Sequence, residues 1–285
     1  MRIGTTPIIN KNKPFGYDFA LMNELGYYGI DFQEFANGQS PLMSMNEEQL
    51  KAYLLPIKEE AHKNNMVIHQ LHSYWECPPI LDRHEKTLFS QIDKYEKAII
   101  GASILDCPYV ILHARLPYLG VSAENTEIAI EINVKFIKKL LPLAHKYNVT
   151  LCLENLPFPD FASCSIDKTI EIVDLVNDER LGICLDTGHA NCFQDDIYTD
   201  VIKIGKRLKT LHVHDNLSHL RMDLHMVPFT GNLDFKKLMQ GLKQIGFAGV
   251  FSSECLQDFV NMPENLLKDY QRFVAKTFAY IANEL

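Results

Sequence analysis

From one end of the chain to the other, short apolar runs alternate with longer segments of helical period. The runs fall at residues 2–6, 29–34, 66–72, 109–113, 149–154, 182–186, 210–214 and 249–254. Between and after them, helical spacing of apolar residues covers 17–25, 47–63, 84–101, 123–147, 166–176, a less regular stretch at 198–206, then 235–245 and a tail at 264–285. Strands apolar on both faces and separated by helices indicate a parallel sheet covered by helices. Eight such units in 285 residues leave no domain-sized remainder. That favours closure over an open doubly wound sheet and predicts an α/β fold, a single-domain (β/α)₈ TIM barrel over residues 1–285. The first turn has no GxGxxG arrangement, so no nucleotide cofactor is expected.

Composition narrows the functional classes. Hydrophobic residues make up 47% and charged residues 22%, ordinary for a folded chain. The formal charge is −8 and Arg and Lys are not concentrated anywhere, which argues against a nucleic-acid partner. No 18 apolar residues run together, and the opening MRIGTTPII has no export signal, so a cytoplasmic protein without a membrane span is expected. The seven cysteines (Cys77, Cys107, Cys152, Cys164, Cys184, Cys192 and Cys255) lack zinc-knuckle spacing. Cys152 and Cys184 sit inside apolar runs and read as buried, reduced thiols.

The informative pattern is where the runs stop. Runs three to eight end in His72, His113, Glu154, Asp186, His212 and Glu254, and the second ends in Glu34. In a barrel these carboxyl ends face one cavity. Carboxylates with imidazoles suit a divalent ion such as Mn²⁺, Zn²⁺, Co²⁺ or Mg²⁺. Asp186-Thr187-Gly188-His189-Ala190 sets an acid and an imidazole three apart across a glycine that can let the backbone double back. Asp223-Leu224-His225, if extended, points its acid and imidazole the same way.

The other histidines are read differently. His62, His84 and His145 lie on helical segments and are expected at the surface. His69, three before His72, should face the opposite side, His214 is read as a core or supporting group with a ligand role as the alternative, and His219 has no assignment. The loops Cys77-Pro78-Pro79 and Leu156-Pro157-Phe158-Pro159 are candidate pocket walls.

The segments Leu151-Cys152-Leu153-Glu154-Asn155, Leu185-Asp186-Thr187-Gly188-His189, Leu211-His212-Val213-His214-Asp215 and Ser253-Glu254 carry a family resemblance. So does the run from Asp223-Leu224-His225 through Pro228 and Gly231 to Asp234-Phe235. Over nearly its whole length the chain resembles the xylose isomerase-like TIM-barrel superfamily, which includes sugar and sugar-phosphate isomerases or epimerases and endonuclease IV.

The epimerase-like branch implies one divalent ion held by Glu154, Asp186, His212 and Glu254, with His189 on the substrate side. The implied chemistry is isomerisation or epimerisation of a sugar, sugar phosphate or related polyol ketone through a metal-stabilised cis-enediolate. Glu154, Glu254 and His189 would be catalytic, and His72, His113, Glu34, Trp75 and His225, with Phe158, would contact a small carbohydrate. The endonuclease IV-like branch implies a zinc-dependent phosphodiesterase acting on abasic-site DNA, whose further ligands match His72, His113, His189, Asp223 and His225. A homodimer or homotetramer is also implied, because partner loops often complete such pockets.

Overall fold

A computed structural model describes residues 1–9, 12–75, 89–115, 121–255 and 262–285. The loop Cys77-Pro78-Pro79, His84 and the first part of the helix expected over 84–101 lie outside the described residues. The strands are β1 (Ile3–Thr5), β2 (Gly29–Phe32), β3 (Val67–His72), β4 (Tyr109–His113), β5 (Thr150–Glu154), β6 (Leu181–Asp186), β7 (Leu208–His212) and β8 (Phe251–Ser253). They form one sheet in the order β7-β6-β5-β4-β3-β2-β1-β8, with every ladder parallel. Just past β7, a parallel bridge between Val213 and Ser253 joins the two edges. There the Val213 N–H donates to Ser252 O at 2.8 Å and the Glu254 N–H to Val213 O at 3.0 Å. The eight-stranded parallel sheet therefore closes almost fully into a (β/α)₈ barrel.

The helices are α1 (Phe19–Glu24), α2 (Glu47–Lys63), α3 (Ile92–Ile104), α4 (Ala123–Tyr147), α5 (Ile166–Val176), α6 (Thr187–Asn191), α7 (Ile197–Ile204), α8 (Phe235–Gln244) and α9 (Glu264–Glu284). Local chemistry sets their ends. Asn46 and Gln49 form a reciprocal capping box at the start of α2. Ser122 and Ser165 cap α4 and α5, and Asn148 and Asn177 end them in the left-handed conformation, which asparagine tolerates. Along α4 the buried residues Ile128, Ile132, Phe136, Leu140 and Ala144 recur every fourth position, which turns one stripe onto the barrel. The stretch expected to be irregular at 198–206 is the regular helix α7, capped by Asp196, followed by a 3₁₀ turn over Gly205–Arg207.

Three expectations about strands need correction. Glu34 lies two residues beyond β2, and Glu254 one residue beyond β8, so neither ends its strand. His69 and His72 do not face opposite sides. The register between β2 and β3 shifts at Ile30/Asp31, pairing these with Ile68 and Gln70 and leaving His69 as an extra residue, which breaks the alternation of faces. His69 stands inside the barrel, its Nε2 3.0 Å from Ser252 Oγ of β8 and its ring against Gly4 of β1. A Cβ at Gly4 would lie 2.4 Å from that ring, so the bulge and the glycine belong together.

Candidate active site

Parallel pairing brings the carboxyl ends of the strands to one level, and four acidic or imidazole side chains meet there. Glu154 comes from β5, Asp186 from β6, His212 from β7, and Glu254 from the position just after β8, where its N–H donates to Val213 O. His212 Nδ1 lies 2.7 Å from Glu154 Oε1 and 3.1 Å from Glu254 Oε2. One donor atom from each of Glu154, Asp186, His212 and Glu254 falls within 4.8 Å of all the others, and all four residues are buried.

Two further groups adjoin this one. His72 and His113 approach the other Glu154 oxygen, with Nε2–Oε2 separations of 3.6 and 3.1 Å. His189, His214, Asp223 and His225 form the third. In that group the Nδ1–H of His189 donates to Asn155 O (2.8 Å), that of His214 to Asp215 O (3.3 Å) and that of His225 to Glu254 O (2.8 Å). Each carbonyl fixes a tautomer, so three Nε2 atoms are left facing the Asp223 carboxylate, at 3.3, 3.7 and 2.9 Å.

Electrostatics separates the two glutamates. Burial disfavours ionising Glu154, but the His212 and His113 imidazoles outweigh it and hold the carboxyl well below the usual range. Burial instead pushes Glu254 well above that range, and the like charges of Glu154 and Asp186 add to it against the pull of His212 and His225. For His189, burial is outweighed by Asp186, Asp223 and Glu154, which raise the imidazole to about 10. His225 is raised to about 9 against burial, mainly by its hydrogen bond to Asp223. His113 is lowered by burial. Cys184 also lies beside Glu154 and His212, but burial pushes its thiol up, away from the thiolate.

The donor set fits a divalent cation. Buried polar atoms almost always have partners, yet Glu154 Oε2 and His189 Nε2 are buried without a hydrogen bond of acceptable geometry. Both point into clusters of acids and imidazoles, which is the donor chemistry of a hard or borderline ion. A separate depression of about 740 Å³ opens at the amino ends of the strands, lined by Arg2, Tyr28, His69, Lys209 and Phe247 among others, and contains none of these donors.

Nine residues singled out from the sequence lie in these groups: His72, His113, Glu154, Asp186, His189, His212, Asp223, His225 and Glu254. Glu34 and Trp75 do not. The Glu34 carboxylate accepts hydrogen bonds from the hydroxyls of Tyr17 and Tyr53. Trp75 is half-exposed beyond β3, its N–H on Ala36 O. Phe158 is likewise partly exposed.

His214, read as a core or supporting group with a ligand role as the alternative, has its Nε2 3.0 Å from Asp186 Oδ1 and belongs to a metal-capable group. Sequence reasoning missed Asp31, fully buried on β2 with Oδ2 2.7 Å from His212 Nε2. The role given to Gly188 changes too. The backbone does not double back there. Asp186 caps α6 by accepting the His189 N–H (2.6 Å), and Gly188 is helical. Its hydrogen matters because a Cβ would lie 2.0 Å from the His214 ring. Nor is the Asp223–His225 segment extended. His225 has a positive φ of 43°, and the two side chains still meet at 2.9 Å.

The model of the family described as xylose isomerase-like TIM barrel matches residues 19–276, and the chain belongs to that family. An uncharacterized protein of Methanocaldococcus jannaschii is 31% identical over 188 residues, 64% of this chain and 62% of that protein. An inosose isomerase of Bacillus subtilis is 27% identical over 126 residues, 43% of this chain and 45% of that enzyme. The chain thus matches less than two thirds of the length of either relative. Among solved structures, an IOLI protein with a bound zinc atom superposes with a TM-score of 0.74 at 19% identity, covering 98% of this chain and 97% of that one. A D-allulose 3-epimerase from Methylomonas sp. in complex with D-allulose superposes at 0.75 and 17% identity, covering 100% and 97%. At these identities the structures establish the shared barrel.

Proposed function

We propose that the protein is a divalent-metal-dependent isomerase or epimerase of a sugar, sugar phosphate or related polyol ketone. The observation that carries this reading is the convergence of Glu154, Asp186, His212 and Glu254 at the carboxyl ends of their strands, one donor atom of each within 4.8 Å of the others. Glu154 and Glu254 flank His212 Nδ1 at 2.7 and 3.1 Å, and their surroundings push the first carboxyl down and the second up. Two carboxyls whose surroundings push them apart are equipped as a base and an acid.

Glu154, Asp186, His212 and Glu254 would hold the ion, which when bound polarises the carbonyl and offsets charge developing on the substrate oxygens. Glu154 Oε2, buried and free of a hydrogen bond, takes the proton alpha to the carbonyl. Glu254 returns a proton at the neighbouring carbon or on the opposite face. Transfer of this kind contributes roughly 10²- to 10⁴-fold. His189 and His113 orient substrate hydroxyls beside Glu154, with His72 and His225 behind them, while half-exposed Trp75 and Phe158 form the rim. The isomerase and epimerase named among the similar proteins support this class of substrate. The test is proton NMR of ketohexoses and inosose incubated with the Mn²⁺-loaded protein in D₂O. Loss of the alpha-proton signal with appearance of an isomer or epimer is expected, and unchanged spectra for every ketone would overturn the reading.

A second reading is favoured by one observation, the two further donor groups adjoining the first. Phosphodiesterases with several ions clamp the phosphate between metals roughly 3.5–4 Å apart. Here His72, His113 and Glu154 would hold one additional ion, and His189, Asp223 and His225, with His214, another. Incision of abasic-site duplex DNA by the zinc-loaded protein, lost in Glu154→Gln, would establish this activity instead.

A further inference from the structure

His212 is fully buried, so neither ring nitrogen can turn to water for a partner. Its Nδ1 faces Glu154 and Glu254, and its Nε2 faces Asp31 Oδ2 at 2.7 Å. To give an ion its Nδ1 lone pair, the ring must keep its proton on Nε2, and that proton needs a buried acceptor. Asp31 is the residue placed to be that acceptor. It is itself fully buried, on β2, across the barrel from β7.

Asp31 is held in turn. The Gln70 side-chain amide donates to Asp31 Oδ2 (3.0 Å) and to Leu211 O (3.2 Å). The Thr210 hydroxyl donates to the Gln70 carbonyl oxygen. Thr210 and Leu211 belong to the strand that carries His212, so one chain of hydrogen bonds ties the acceptor to the backbone of the ring it orients. The bulge at His69 is what brings Gln70 opposite Asp31.

We infer that Asp31 is a positioning residue that keeps the His212 proton on Nε2 and turns the Nδ1 lone pair to the cation site. This rests on the cation site of the proposed function and goes beyond it, because Asp31 is in none of the donor groups. Removing the charge leaves the ring free to place its proton on Nδ1, against Glu154 and Glu254, where it competes with the ion. Losing an outer partner of this kind typically weakens metal affinity about 10- to 100-fold.

The test combines a variant with a measurement on the unaltered protein. Zn²⁺ affinity, read by competition with a chromogenic chelator, is expected to fall about 10- to 100-fold in the near-isosteric Asp31→Asn. In the zinc-loaded unaltered protein, ¹⁵N NMR is expected to find His212 protonated at Nε2 and metal-bound through Nδ1, a signature that a merely structural Asp31 would not need. Unchanged affinity in a folded Asp31→Asn, or zinc bound through Nε2, would overturn the inference. The NMR measurement decides alone if the variant does not fold. Failure of the unaltered protein to bind zinc would sink the proposed function and this inference together, whereas an unaltered protein that binds and an Asp31→Asn that binds equally sinks only the inference.

Discussion

His212 Nδ1 and Glu154 Oε1 stand 2.7 Å apart although 58 residues separate them along the chain. The contact exists because parallel ladders carry β5 through β6 to β7 with Glu154 beside Cys184 and Asp186 beside His212. Whatever bears on those ladder ends bears on the donor set.

The two glutamates should respond differently to loss of charge. Glu254→Gln is expected to lower formation of the isomer or epimer by roughly 10²- to 10⁴-fold. It should spare the fold, because glutamine keeps the size and shape of the side chain. Glu154→Gln is expected to lose exchange and to loosen the ion as well, since its charge is held by His212 and His113. Product and solvent-exchange NMR with zinc titration of both variants check this, and undiminished product formation in Glu254→Gln would remove that residue from the acid–base pair.

Asn155 ties the ends of β5 and β6 together. Its amide donates to Asp186 O and its oxygen accepts the Asp186 N–H, each at 2.9 Å and both buried. Asn155→Ala removes one hydrogen bond from each of two buried peptide groups, at about 1–3 kcal/mol each. A fall in urea-unfolding stability of about 2–5 kcal/mol is expected. A loss below half a kcal/mol would mean that the two groups find other partners.

At Gly188 two effects oppose each other. Alanine in a helix is favoured over glycine by about 1 kcal/mol. Its Cβ would meet the His214 ring at 2.0 Å, however, in a packed interior where such overlap costs about 1–3 kcal/mol. The clash should win. Gly188→Ala is expected to lower Tm and to reduce ion binding at the His189, His214, Asp223 and His225 group. A stabilised variant would show that His214 has room to move.

Asp200 on α7 is 4% exposed, and burial, helped by the like charge of Asp195, raises its carboxyl to about 7. In the unfolded chain such a group titrates near about 4. The folded state therefore binds the proton more tightly, and stability from this site is fully present below about pH 4 and lost as pH rises through about 7. Asp200→Asn is expected to raise stability at pH 8 by on the order of 2–4 kcal/mol and to change it little at pH 4. Calorimetry at the two pH values checks the sign, and an equal effect at both would contradict it.

The barrel and most of the donor set could be read from the residues because each depends on a local rule. Helices α4 and α5 have the expected limits because Ser122, Ser165, Asn148 and Asn177 cap them. The donors follow from the side of the sheet on which parallel strands end. What escaped the reading depends on contacts between strands. The bulge at His69 inverts a face that alternation alone assigns, and it also brings Gln70 to Asp31. Asp31 looks like one polar residue in an apolar strand until β7 is set across from it. Glu34 looks like a strand-end acid, but two tyrosines hold it. The His214 and His225 rings stack at 4.2 Å only after the loop following β7 has folded back.

The central claim is that acids and imidazoles from separate strands share a divalent ion. Anomalous diffraction at the zinc edge from crystals grown with Zn²⁺ tests it most directly. A peak is expected within about 2.0–2.2 Å of donor atoms from Glu154, Asp186, His212 and Glu254, with any further peaks at the two adjoining groups. A map with no zinc at that first position, from crystals in which all four side chains are ordered, would contradict the account.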